Sequence, residues 1–324
     1  MTPAEASAAA SAVSSLPRIR ALAGAMRDAL RDGAVARMLV PPRETVEDAS
    51  GAKFLSMPAV SPDHDLYVNK VATIVASPVA GRGSTVTSVV PMFSVSTGRF
   101  LGTLDGATVT NLKCAAVTAL VTDRCAAPGS RVLGVIGSGV QARQQFLGVS
   151  AVRDLEEVRI WSRTPRHARA FAHAIADAAG ERHRRPPRVV LCDSAERASD
   201  GVDILSTATT SVEPLPISAR LPDHVHINCV GAHTTTSREV PVALLRDSVV
   251  IVEDLRTAIA EAGESHAGAL ELSALDTPDA PGDLARRRTV FASTGCAYLD
   301  LITCAHLVRH PDEAGKFRAA DPAR

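Results

Sequence analysis

Val132-Leu133-Gly134-Val135-Ile136-Gly137-Ser138-Gly139-Val140-Gln141-Ala142 is the segment from which the architecture can be read. Its apolar run ends at Ile136 and reads as a buried strand; the glycines read as a tight turn, and a helix opens from Gly139. Glycines at this spacing let the backbone approach a pyrophosphate closely, while the helix N-terminus supplies N–H donors and a favourable dipole. A lone G-x-G-x-x-A is a weak signal. Here a strand precedes it, a helix follows, and a second strand ends at Trp161, which is the context that points to a dinucleotide. Gly137, Ser138, Gly139, Val140, Gln141 and Ala142 are therefore the first candidate cofactor residues.

Beyond that second strand the chain reads Trp161-Ser162-Arg163-Thr164-Pro165-Arg166. An acid about 20 residues past the glycines would accept from a ribose 2′-hydroxyl, but Ser162 holds that place, with Arg163 and Arg166 behind it. A 2′-phosphate is an anion that Ser can hydrogen-bond and Arg can clamp, so NADP(H) is preferred and NAD(H) remains open. Strands alternate with helix-length spacers onward from Arg131: strands at Arg131–Ile136, Val158–Trp161, Arg188–Cys192, Val202–Thr207, His226–Val230 and Ser248–Val252, and a helix across Arg166–Ala179. That alternation implies βαβ units and a doubly wound parallel sheet. Thr207, Ala208, Thr209 and Gly231 fall at carboxyl ends of those strands, the edge where such a sheet holds its cofactor.

The N-terminal third has a different texture. Residues 18–40 repeat apolar positions at three and four, the mark of one or two amphipathic helices. From about 52 to 106, β-branched runs such as Leu66–Val75 and Ser84–Pro91 are punctuated by Pro and Gly, which predicts a mostly antiparallel sheet. Ala107–Arg124 reads as a helix capped by a Thr and closed by the Pro128-Gly129 turn. Asp276–Arg288 reads as a surface loop, and Cys296–Val308 as a final helix.

Composition narrows the ligand. A chain of 324 residues holds about two domains and needs no disulfide staples. Its 35 Lys plus Arg against 35 Asp plus Glu sum to zero, which argues against nucleic acid or an anionic membrane as partner. Aromatics at 3% leave little for base stacking, so a small polar ligand is expected. Six cysteines show no C-x-x-C pair and no metal-ligand spacing, and they read as small buried hydrophobes. With no signal-peptide pattern and no long apolar run, the expected location is the cytoplasm.

Over nearly its whole length the sequence resembles the ornithine cyclodeaminase/mu-crystallin family. The matching stretches are Pro42-Arg43, Ser56-Met57-Pro58, Lys70 in LYVNK, Ser96-Thr97-Gly98 with Leu104-Asp105-Gly106, VTNLKCAAVTAL (109–120), GVIGSGVQA (134–142), Thr207 to Thr210, GAHTTTSREV (231–240) and VFASTGCAYLDL (290–301). The resemblance implies a homodimer in which residues 1–118, completed by 299–324, form an α+β substrate-binding and dimerisation domain beside a Rossmann-type domain over 119–298. It also implies hydride transfer with a nicotinamide on amino or imino acids.

Carried over residue by residue, the resemblance makes Arg43, Lys70 and Lys113 the holders of a substrate carboxylate, with Thr85 a polar contact. Cations converging from different elements would orient that carboxylate and set its neighbouring carbon for reaction. Asp300 matches the family Asp of T-G-x-A-x-x-D and faces substrate or dinucleotide in this reading. Two positions depart from the pattern. Lys113 stands for an Arg and loses its planar fork. His233 stands where cyclodeaminases carry an Asp, and an imidazole could give a proton to an imine nitrogen. Lys70, His233 and Asp300 are thus the candidate catalytic residues. The function implied is NAD(P)H-dependent ketimine reduction or a related amino-acid/imino-acid oxidation. The alternatives are cyclodeamination of ornithine or a related diamino acid, an alanine or arginine dehydrogenase, and a non-catalytic NADPH-binding protein.

Overall fold

The structure is a computed structural model and describes residues 15–75, 86–182, 186–231, 234–236, 238–277, 280–310 and 318–319. It divides into two compact units, Met1–Lys113 with Gly295–Arg324, and Cys114–Thr294. The division anticipated at 118/119 and 298/299 lies a few residues from these crossings.

The first unit opens with helix α1 (Leu16–Arg31), which carries Pro17 in its first turn and buries Leu16, Ile19, Leu22, Ala23 and Met26 along one face. Strands β1 (Glu44–Glu47), β2 (Lys53–Ser61), β3 (Leu66–Ile74), β4 (Val86–Phe93) and β5 (Phe100–Asp105) form an antiparallel sheet in sequence order. The two-residue strand Arg318–Ala319 pairs with β5. In β2 burial alternates, so Leu55, Met57 and Ala59 face inward with Val68, Ala72, Val90, Met92 and Leu104 from the neighbouring strands. The returning helix Ala297–Arg309 packs on β2, β3 and α1. On the other face of the sheet Phe54, Val71 and Val89 remain exposed.

Helix α2 (Gly106–Cys125) contains the boundary between the units. Its start corrects the expected Thr cap: Asp105 Oδ2 accepts from Thr108 N at 2.9 Å and from Thr108 Oγ1 at 2.7 Å, so Asp105 is the capping residue.

The second unit runs β6 (Val132–Ile136), α3 (Val140–Val152), β7 (Glu157–Trp161), α4 (Pro165–Arg182), β8 (Arg188–Leu191), α5 (Ala195–Ser199), β9 (Ile204–Thr207), β10 (His226–Cys229), α6 (Val242–Arg246), β11 (Val249–Val252), α7 (Leu255–Ala262), β12 (Leu270–Glu271) and β13 (Thr289–Ala292). Its sheet has the order β12-β11-β13-β10-β9-β6-β7-β8, and every pairing is parallel. Strand β6 has β7 on one side and β9 on the other, so the strand order reverses there. This is the doubly wound Rossmann-type arrangement, with its switch point at the end of β6. Strands β9, β10 and β13 are buried at every position, as expected of parallel strands covered on both faces.

The two faces of that sheet differ. One is apolar, with Ile136, Leu205, Ile227, Cys229, Val290 and Val252 in a single cluster. The other carries a buried polar chain in which the His226 ring bridges Thr289 Oγ1 (2.8 Å) and Asn228 Oδ1 (3.2 Å), while Asn228 donates to Thr122 Oγ1 at 3.1 Å. Burial pushes the His226 pKa down to about 3, so the ring is neutral at neutral pH. Two further sequence expectations need correction. Strands β12 and β13 lie beyond the expected set, and the expected surface loop over 276–288 includes a 3-10 turn, Leu284–Arg286, around a fully buried Leu284.

Candidate active site

At the switch point of the second unit, Gly137 adopts φ +121°, and a Cβ there would lie 2.4 Å from the Ala208 carbonyl oxygen. Only glycine fits, because both the backbone angle and the close approach exclude a side chain. The turn is held by Gly137 N–H donating to Trp161 O and Ala208 N–H donating to Ile136 O, each at 2.9 Å. Gly139 is the N-cap residue of α3 and offers no side-chain cap, and nothing lies within 4 Å of where its Cβ would be. Val140, the first residue of α3, is 61% exposed, and Ala142 is buried beneath it. Ser138 Oγ donates to Ser162 Oγ at 2.8 Å, which joins the glycine turn to the end of β7. Arg163 and Arg166 are exposed at the start of α4. These residues fit a dinucleotide: a cradle that a Cβ on Gly137 would fill, beside a helix N-terminus that no side chain caps.

Thr207, Ala208, Thr209 and Gly231 lie at the exits of β9 and β10, at the same carboxyl edge. The Thr207 hydroxyl and the Thr209 and Gly231 N–H groups are committed within the protein. All donate to Glu239, at 2.9, 2.5 and 2.8 Å respectively. Glu239 is fully buried and also accepts from the Cys229 thiol at 3.5 Å. Burial raises its pKa, and the hydrogen bonds from Thr209, Thr207 and Gly231 oppose that only in part.

In the first unit a second constellation forms. Lys70 Nζ lies 2.6 Å from Asp300 Oδ2, and Lys113 Nζ 3.3 Å from Asp300 Oδ1. Lys70 comes from β3, Lys113 from α2, and Asp300 from the first turn of the returning helix, where a carboxylate also suits the helix dipole. Arg43 Nη2 donates to the Gly295 carbonyl at 3.0 Å. Lys113 Nζ and Arg43 Nη2 lie 3.7 and 3.8 Å from where a Gly295 Cβ would sit, so both flank that residue. Lys70 and Lys113 are buried and Asp300 completely so. Burial alone would raise the Asp300 pKa, but the ammonium groups of Lys113 and Lys70 outweigh it and hold the carboxyl below its usual range.

The structure thus brings Arg43, Lys70, Lys113 and Asp300 together. Asp300 sits between the two lysines, a more definite place than a general position facing ligand. Thr85 and His233 lie outside the described residues. Two features escape a reading of the sequence. The Gly295 carbonyl, as partner of Arg43, has no signal beyond a glycine in STG, and the gathering role of Glu239 has none beyond an acid in a resembling segment.

A model of the ornithine cyclodeaminase/mu-crystallin family matches residues 4–315. Ketimine reductase mu-crystallin of Mus musculus is 32% identical over 298 residues, covering 88% of each chain. Delta(1)-pyrroline-2-carboxylate reductase of Bacillus cereus is 30% identical over 301 residues, covering 89% of this chain and 90% of the relative. Among solved structures, Thermococcus litoralis Delta(1)-pyrroline-2-carboxylate reductase in complex with NADH and L-proline superposes with a TM-score of 0.82 at 24% identity, over 94% of this chain and 95% of that one, a likeness of fold. The chain belongs to the ornithine cyclodeaminase/mu-crystallin family.

Proposed function

We propose that this protein is an NAD(P)H-dependent reductase of imino acids, acting on a cyclic ketimine carboxylate of the kind represented by Δ1-pyrroline-2-carboxylate. The observation that carries the reading is the convergence of Arg43, just before β1, with Lys70 of β3 and Lys113 of α2 around Asp300 and Gly295. Two buried lysines beside a half-buried arginine suit a small carboxylate, and the named activities of the mouse and Bacillus relatives concern imines of this type.

Reduction of an imine needs a hydride at carbon and a proton at nitrogen. A reduced nicotinamide supplies the hydride when bound. Arg43 and Lys113 hold the substrate carboxylate, which fixes the imine carbon beside it. Lys70, whose Nζ lies 2.6 Å from Asp300 Oδ2, gives a proton to the nitrogen; His233 is the other candidate donor. The glycine turn and the N–H groups of α3 receive the pyrophosphate. Ser162, Arg163 and Arg166 favour a 2′-phosphate, and with it NADPH over NADH.

The exposed apolar face of the first unit's sheet supports a homodimer. Phe54, Val71 and Val89 there are each 42–43% exposed. Tyr67 stacks on Phe93, and Phe100 meets Phe93 in a tilted contact, beside them. A second copy covering this face would remove apolar area from water. Sedimentation of wild type against Val71→Glu checks it, with dimer and monomer the expected outcomes.

The deciding experiment is NADPH oxidation, followed by absorbance, with Δ1-pyrroline-2-carboxylate and its six-membered homologue. Rapid oxidation is expected, with proline formed from the five-membered imine and piperidine-2-carboxylate from the six-membered one. Conversion of ornithine to proline and ammonia on catalytic NAD, with no net consumption of NADPH, would replace this reading with cyclodeamination.

A further inference from the structure

The Glu239 carboxylate is fully buried and holds three donors from two strand exits: Thr207 Oγ1 at 2.9 Å, Thr209 N at 2.5 Å and Gly231 N at 2.8 Å. Thr207 and Thr209 bracket Ala208. The Ala208 N–H donates to Ile136 O at 2.9 Å, and its carbonyl oxygen lies 2.4 Å from where a Gly137 Cβ would be. A chain of short contacts therefore runs from Glu239 through the β9 exit to the glycine turn, all within the second unit. Gly231 fits the same design, because a Cβ on it would fall 2.2 Å from the Glu239 carboxylate. A buried carboxylate with this many donors is costly to place, and an unbonded donor left behind by its removal costs more than the bond itself contributes.

We infer that Glu239 is a positioning residue for the dinucleotide: it gathers the exits of β9 and β10 and so fixes Ala208 against Gly137, setting the shape of the pyrophosphate cradle. It acts through Thr207, Thr209 and Gly231. The inference rests on the dinucleotide reading of the glycine turn proposed above. It assigns the Glu of the GAHTTTSREV segment to the cofactor side of the reaction.

A second carboxylate of the same unit provides the contrast. Asp203 Oδ2 accepts from Arg131 N at 2.8 Å and Val132 N at 2.9 Å, at the amino end of β6, the opposite end from the glycines. Losing either carboxylate frees backbone donors of the same sheet, but only Glu239 of the two lies at the carboxyl edge.

Trp161 is the one tryptophan of the sequence, and its carbonyl accepts from Gly137 N–H, so its fluorescence reports on the turn. The experiment titrates NADPH and NADH into purified wild type, Glu239→Gln, Gly231→Ala and Asp203→Asn, reading Trp161 quenching, with thermal midpoints measured alongside. Glu239→Gln keeps the side-chain size but turns an NH2 group toward donors. Gly231→Ala displaces the carboxylate while leaving its chemistry intact. The expected result is a Kd raised tenfold or more for both nucleotides in Glu239→Gln and Gly231→Ala, less than multiplicatively in the double variant, with Asp203→Asn binding as wild type. A Kd unchanged in the two edge variants, or raised equally in Asp203→Asn, overturns the inference. If Glu239→Gln does not fold, Gly231→Ala against Asp203→Asn decides by the same criteria. Wild type that binds neither nucleotide sinks the dinucleotide reading itself, and so is told apart from failure of the inference.

Discussion

Asp300 and Glu239 are both fully hidden from water, one in each unit, yet their surroundings drive them in opposite directions. Asp300 meets two ammonium groups, and its pKa falls. Glu239 meets a hydroxyl, two backbone N–H groups and a thiol, and its pKa rises. Desolvation is common to both, so the difference lies in full charges against neutral dipoles. Each suits its place. In the function proposed above, the cations of the first unit serve a carboxylate and are held in register by an opposing charge, whereas the second unit's anion site is built from backbone N–H groups that need to be aimed.

Removing Asp300 is the strongest test of that contrast. Asp300→Ala takes away the carboxylate that Lys70 and Lys113 share, and such losses cost about 3–5 kcal/mol. Urea denaturation should show a drop of that size, and imine reduction should fall by roughly 100-fold or more as the proton donor loses its orientation. Unchanged stability would mean that the ion pairs do not hold the first unit together.

Glu239→Ala should cost less, about 1–3 kcal/mol, because the donors left behind are neutral. The same urea measurement checks it, and a loss as large as that of Asp300→Ala would erase the distinction.

Acid separates the two carboxylates by sign. Asp300 has a folded pKa below its ordinary 3.8, so its stabilising contribution is present above that value and is lost as pH falls through the folded pKa. Glu239 has a folded pKa above its ordinary 4.5, so the folded state takes up its proton first and stability falls as pH rises from 4.5 through the folded pKa. Urea midpoints from about pH 3 to 7 for wild type, Asp300→Asn and Glu239→Gln should therefore give difference curves of opposite slope. Parallel curves would contradict the assignment of neighbours.

The smallest effect belongs to the exposed cations. Arg163 stands in solvent at the start of α4, unlike Lys70 and Lys113. Arg163→Ala should weaken NADPH by about 1 kcal/mol or less, leave NADH unchanged, and shrink further at high salt. Equal weakening of both nucleotides would remove Arg163 as the 2′-phosphate partner.

The glycine turn is legible in the sequence because its strand, its glycines and its helix start lie within the residues from Val132 to Ala142, and local constraints write local signals, although the contacts with Trp161 and Ala208 that hold it do not show there. The antiparallel sheet is legible from alternation in β2 and β3. Strand β13 is not: Thr289–Ala292 has four buried residues and no alternation, and what makes it a strand is the slot between β10 and β11. The Asp105 cap has a visible signal, an acid just before a helix, but the Asp-Gly pair reads equally as a turn after the preceding strand. Arg43, Lys70, Lys113 and Asp300 stand out by family resemblance alone, since no spacing rule joins residues as far apart as Lys70 and Asp300, which are separated by 230 positions.

The βαβ alternation, the switch-point turn and the residue types available to a carboxylate and a pyrophosphate were already written in the order of amino acids. They follow from hydrophobic period and from glycine's backbone freedom, which act over a few residues. The placing of Asp300 between two lysines and of Glu239 among neutral donors came from folding alone. A buried group's electrostatics depends on what long-range packing brings within about 3 Å of it, and one carboxylate looks like another until the chain is folded.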